Sequence, residues 1–173
     1  MSHTPSALVL LTQGAEEMEA VISIDVLRRA GVQVVLAGVD GGEPIRCSRD
    51  VLITPDVALA DVRGAFDVLV LPGGAEGATR LAASPRVGEL LKEQELAGRM
   101  VAAICAAPIA LEAHGVFEGR KLTSHPSVKS VLEDWGSYSE HPVEADGNLI
   151  TSRGPGTAFA FALRIVGALT DAE

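Results

Sequence analysis

The chain has 173 residues, 47% of them hydrophobic and 21% charged, with a formal net charge of −9. That balance is expected of a soluble globular protein, one domain spanning residues 1–173. The acidic charge speaks against a nucleic-acid or anionic-membrane surface, and no apolar run reaches the roughly 18 residues of a membrane span. Two cysteines, Cys47 and Cys105, make a disulfide scaffold untenable, and the start, MSHTPSALVLL, lacks the pattern of a signal peptide. A reducing, cytoplasmic setting is expected.

In chain order, SALVLLTQG reads as a buried strand closed by Gly14. EEMEAVISIDVLRRAG carries apolar residues at helical spacing (Met18, Val21, Ile22, Val26, Leu27) and ends at Gly31. VQVVLAG is the next strand, and CSRDVLITPDVAL an extended excursion or hairpin. FDVLVLPGG is a continuous apolar strand, and SPRVGELLKEQELAG a helix begun by Ser84 with Pro85 at its first position. MVAAI is a strand followed by a helical APIALEAHG. KLTSHP and GNLITS are short strands, and GPGTAFAFALRIVGAL is a closing helix.

Strands that are apolar throughout and alternate with helices indicate a parallel sheet covered on both faces. At this length the expected fold is α/β: a flavodoxin-like, doubly wound, mostly parallel sheet in a three-layer sandwich. Ligands in such folds bind at the carboxyl ends of the strands, near the topological switch point. The loops to inspect are TQGAEEME, PGGAEG, CAAP and SHP.

Cys105 stands at a strand-to-helix corner among Ala102, Ala103, Ala106 and Ala107. Small neighbours suit a nucleophile held in a strained turn, and a helix N-terminus favours thiolate over thiol, so Cys105 is expected to be the more acidic of the two thiols. It reads equally as a buried structural cysteine. Glu16 and Glu17 open a helix, where carboxylates commonly just suit the dipole. Glu19 lies deeper, in an apolar neighbourhood where a buried carboxyl has a raised pKa and shuttles a proton. Gly73 and Gly74 offer backbone N–H groups for an oxyanion hole or form an ordinary strand-exit turn. His125 is the best placed of four histidines to meet Cys105, or is a surface-loop residue. ITSRGPGT, with Arg153, is an anion site or a structural turn. No spacing resembles a metal site, and RCSRD, with Cys47 and Arg49, reads as an interface element.

Taken together, GAEEMEAVISIDVLRRAG, CSRDV, VLPGG, AAICAAP, LTSHP and GNLITSRGPGT resemble the ThiJ/PfpI superfamily. More narrowly, they are similar to its glyoxalase III-like branch, which holds the Parkinsonism-associated deglycase. The match runs in order from Ala7 to Leu169. The resemblance implies a flavodoxin-like homodimer, a reactive Cys105, an acidic partner at Glu19, a histidine at His125, and backbone donors at Gly74 and Ala106. It also places Cys47 and Arg49 near a dimer contact. Against the human-type pattern this chain has Thr54 in place of a cysteine, Ala75 in place of Asn and Ala107 in place of Gly, and it closes at FALRIVGAL without a further C-terminal helix. Ala106 replaces the histidine of the protease-like branch, which argues against peptidase activity, and the late His-x-Glu pair of glutaminase relatives is absent.

The implied activity is cofactor-independent glyoxalase or deglycase chemistry on methylglyoxal, glyoxal or their adducts, in carbonyl- and oxidative-stress defence. The alternative is a redox sensor or chaperone whose cysteine is oxidised to sulfinate. The same thiol and the same carboxyl serve both.

Overall fold

A computed structural model of the chain describes residues 3–170. In order, the elements are β1 (Ser6–Leu11), α1 (Glu17–Arg29), β2 (Gln33–Gly38), β3 (Ile45–Arg46), β4 (Leu52–Ile53), β5 (Val57–Ala58), β6 (Val68–Leu71) and α2 (Ala75–Ala83). Then follow α3 (Pro85–Leu96), β7 (Met100–Ile104), α4 (Ile109–His114), β8 (Lys121–Leu122), α5 (Lys129–Leu132), β9 (Ser137–Tyr138), β10 (Val143–Asp146), β11 (Leu149–Ser152) and α6 (Ala158–Thr170).

Seven strands form the main sheet in the order β10-β11-β7-β6-β1-β2-β5. Every pairing is parallel except β10 with β11, as expected of strands that are apolar on both faces. Along β1, Ala7, Val9 and Leu11 pack with Ala20 and Leu27 of α1 and Phe161 and Ile165 of α6. The alternate residues Leu8 and Leu10 join Val87 and Leu91 of α3 and Leu111 of α4 on the opposite face. One sheet between two helical layers therefore carries two cores, the flavodoxin-like arrangement expected.

The chain leaves β1 for β2 on one side and returns to β6 on the other, so the switch point lies between β1 and β6. Ser84 caps α3, accepting from the Val87 N–H at 3.4 Å. The 47–59 excursion holds β4, which pairs in a hairpin with β3 just before it, and β5, which is added to the sheet edge. Three features depart from the sequence reading. The glycine-rich exit of β6 runs straight into helix α2. KLTSHP supplies β8, which pairs with β9 outside the main sheet. In α1 it is Ala20, Ser23 and Leu27 that point inward, while Met18 and Val21 are about half exposed, because α6 covers only part of the helix. No helix among the described residues is long and apolar enough to cross a membrane.

Candidate active site

Cys105 follows directly on β7 with φ of 64°, the left-handed region that a non-glycine residue enters only at a cost of about 1–3 kcal/mol. Neighbouring strands hold it there. Its N–H donates to Ser152 O at 2.9 Å, and its carbonyl accepts from the His125 N–H at 2.8 Å. Ala102, Ala103, Ala106 and Ala107 are all buried around it, where larger side chains would crowd the turn. The chain then passes through tight turns, and α4 starts only at Ile109 and runs six residues. The helix end is thus too far away and too short to make Cys105 acidic, contrary to the sequence expectation.

Glu19, fully buried, projects from the sheet-facing side of α1. Its Oε2 accepts the Gly73 N–H at 2.7 Å, and its Oε1 has no hydrogen-bond partner. Gly73 is what lets the pieces meet. A Cβ there would lie 2.5 Å from Cys105 Cβ and 2.8 Å from both Glu19 Oε2 and Ile104 O. The Gly73 amide, read from sequence as an oxyanion donor, is therefore committed to Glu19. Glu16, nominally a helix-opening charge, caps α1 by accepting the Glu19 N–H at 2.9 Å.

Burial raises Glu19 to about 7, with the Glu16 charge adding to it and the Gly73 and Cys105 hydrogen bonds opposing it. Burial, then the Glu19 charge, pushes the Cys105 thiol up to about 12, against the amides of Gly74 and Ala106, which are aimed at the sulfur. Cys47 rises to about 11 through burial and the charges of Glu17 and Glu16. Both thiols are thus held above the usual range, Cys105 included, where the sequence reading expects an acidic thiol. The thiol keeps its proton unless Glu19 takes it.

Cys105 opens onto a cleft of about 260 Å³. His125 and Ser127 form one wall, and Ser48 and Arg49 form another. His125 Nδ1 accepts the Ser127 N–H at 3.2 Å and lies 2.8 Å from Ser127 Oγ, so in the neutral ring the proton sits on Nε2. The His125 ring hydrogen-bonds neither Cys105 nor Glu19; only its backbone reaches the cysteine. Cys47 is buried in the hairpin turn, its N–H donating to Val51 O at 2.9 Å, while Arg49 is exposed.

Glu17, read from sequence as a simple helix-end charge, ties that hairpin to α1. Its Oε1 accepts the Arg49 N–H and its Oε2 the Ser48 hydroxyl, each at 2.7 Å. Burial works against these bonds, yet they hold its carboxyl below the usual range. In ITSRGPGT, Thr157 Oγ1 accepts from the Arg153 and Gly154 N–H groups at 3.2 and 3.1 Å. The amides that would face an anion are spent internally, which favours the structural turn.

The DJ-1/PfpI family model matches residues 5–168. Protein dj-1beta of Drosophila melanogaster is 55% identical over 170 residues, covering 97% of this chain and 91% of its own. The glutathione-independent glyoxalase DJR-1.2 of Caenorhabditis elegans is 45% identical over 176 residues, covering 100% of this chain and 93% of its own. The crystal structure of Drosophila melanogaster DJ-1beta superposes with a TM-score of 0.95 at 55% identity, over 96% of this chain and 91% of that one.

Proposed function

Because the chain belongs to the DJ-1/PfpI family, we propose that it is a cofactor-independent glyoxalase or deglycase, with Cys105 as nucleophile and Glu19 as proton carrier. The observation that carries this reading is the meeting of a strained Cys105 and a buried carboxyl across Gly73, at the mouth of a cleft. The relative named a glutathione-independent glyoxalase supports the same reaction class.

Methylglyoxal enters the cleft with its aldehyde carbon against the sulfur. As the S–C bond forms, Glu19 takes the thiol proton and passes it to the new alkoxide, giving a hemithioacetal. Amides of Gly74 and Ala106 stabilise the alkoxide, a kind of contribution worth about 3–4 kcal/mol per donor. The Glu19 carboxylate then removes the proton from that carbon to form an enediol and returns it to the adjacent carbon. The product is a lactyl thioester on Cys105. Water, oriented by the His125 Nε2–H, hydrolyses it to lactate and the free thiol. A group that titrates near neutrality suits both halves of this transfer. Hemiaminal adducts of methylglyoxal or glyoxal first release the amine, and the regenerated aldehyde enters by the same attack. Two free cysteines suit a reducing, cytoplasmic compartment and a role in carbonyl- and oxidative-stress defence.

Turnover of methylglyoxal by metal-free, glutathione-free protein tests this reading. Lactate should form well above background, and Cys105→Ala should reduce it to background. Equal rates in the two proteins refute the enzyme. They would favour the second reading, sulfinate formation at Cys105 as a redox signal, which the amides aimed at the sulfur also support.

The functional unit is a homodimer. Met18 and Val21 of α1 and Phe159 and Leu163 of α6 are 49–63% exposed on two helices that pack side by side, with Val51 and Leu52 of the hairpin also exposed. Several large apolar side chains in one region mark an interface. Light scattering at micromolar concentration should give about twice the 17.9 kDa chain mass, and a monomer mass would overturn this.

A further inference from the structure

We propose that Ser23 is a positioning residue for Glu19: its hydroxyl reaches Glu19 Oε1 through one enclosed water, which donates a hydrogen bond to the carboxyl. Both residues lie on α1, four positions apart, and both are fully buried. Glu19 Oε1 and Ser23 Oγ are each without a hydrogen-bond partner, although buried polar atoms nearly always have one. A mid-helix serine commonly bonds the carbonyl four residues back, and Ser23 does not. Residues four apart share one face, with Cβ atoms about 5–6 Å apart. The two atoms make no direct hydrogen bond, and one water bridges the gap.

The pairing divides the carboxyl into two ends. Oε2 is on the Cys105 side, beside the same point above Gly73 that Cys105 Cβ flanks. Oε1 is the end left without a partner, and a donor there favours the ionised form. The ionisable groups that act on Glu19 are Cys105, from the corner after β7, and Glu16, from the start of its own helix. The Ser23 hydroxyl offsets burial and the Glu16 charge, and so sets the pH at which Glu19 exchanges its proton with the thiol. Its importance for turnover rests on the glyoxalase reading, whereas the hydrogen bond does not.

The test therefore reads the thiol as well as lactate. Iodoacetamide alkylation of Cys105 has an inflection where Glu19 ionises, because the carboxylate suppresses the thiolate. In Ser23→Ala that inflection should move up by about half a pH unit, a threefold change in proton affinity, and Ser23→Thr should restore it. Thermal unfolding gives a second reading. Removing a partnered hydroxyl lowers the midpoint, whereas removing an orphan raises it. An unmoved inflection in Ser23→Ala, a shift that Ser23→Thr fails to restore, or a raised midpoint in Ser23→Ala overturns the proposal. Loss of lactate formation in wild type with the alkylation shift intact would instead overturn the glyoxalase reading alone.

Discussion

Glu19→Gln should lower methylglyoxal turnover by about 10²–10⁴-fold, the range of a lost proton-transfer group, while making Cys105 easier to alkylate. The two effects have opposite signs because the carboxyl does two things. Glutamine keeps the shape and accepts the Gly73 N–H through its amide oxygen, which leaves its NH₂ at the Oε1 position. It cannot carry a proton between carbons, so turnover fails. It also removes the charge that, after burial, does most to raise the thiol, so the thiolate fraction at neutral pH increases. Parallel lactate and iodoacetamide assays at pH 7 check both signs. Turnover within a factor of ten of wild type would show that the carboxyl is not the proton carrier. The same variant should flatten a slope in stability. Glu19 ionises near 7 when folded against an ordinary 4.5, so burial favours its acid form. That contribution is fully present below pH 4.5 and is lost as pH rises through 7, since the unfolded chain releases the proton first. Urea midpoints should fall over this window in wild type relative to Glu19→Gln.

Gly73→Ala is expected to be the most damaging single-methyl change at the site. The φ of Gly73 lies outside the left-handed region, so the effect is purely steric. The added carbon would sit 2.5 Å from Cys105 Cβ and 2.8 Å from the Ile104 carbonyl, neither of which is the free end of a flexible side chain. Relieving that overlap moves the corner after β7 or α1, at about 1–3 kcal/mol of stability. Misplacement by an ångström costs about 10²-fold in rate, the loss expected here. Gly42→Ala is the control, because its Cβ would meet only the Ala58 N at 3.9 Å. If Gly73→Ala unfolds and turns over like Gly42→Ala, the close approach is not what aligns the site.

The strands of the parallel sheet were legible because their residues are apolar without a break, and Ser84-Pro85 marks the start of α3 by chemistry that acts locally. The partners Cys105 and Glu19 were legible from motif and position. Their electrostatics were not. Sequence placed a helix end behind Cys105, whereas α4 starts four residues later, and the thiol answers first to burial and then to a carboxylate 86 positions back in the chain. Glu17 and Gly73 were misread for the same reason. Their partners, the 48–49 amide and hydroxyl and the Glu19 carboxyl, arrive through the tertiary fold. Helix α2 was missed because three glycines within its first few residues and the loop before it read as a turn. β10 carries charged residues at an antiparallel edge and lacks the apolar run of its neighbours.

The Cys105 backbone is fastened on both sides, its N–H to Ser152 on β11 and its carbonyl to the His125 amide. Amides in turns ordinarily swap their hydrogen with solvent during small local fluctuations, whereas core amides wait for the whole molecule to open. The Cys105 amide extends the β7–β11 ladder by one bond beyond its last pair. The reactive corner, a turn by shape, should therefore exchange its amide hydrogen more slowly than an ordinary turn does. What holds the strained geometry in place is the register of the sheet beside it.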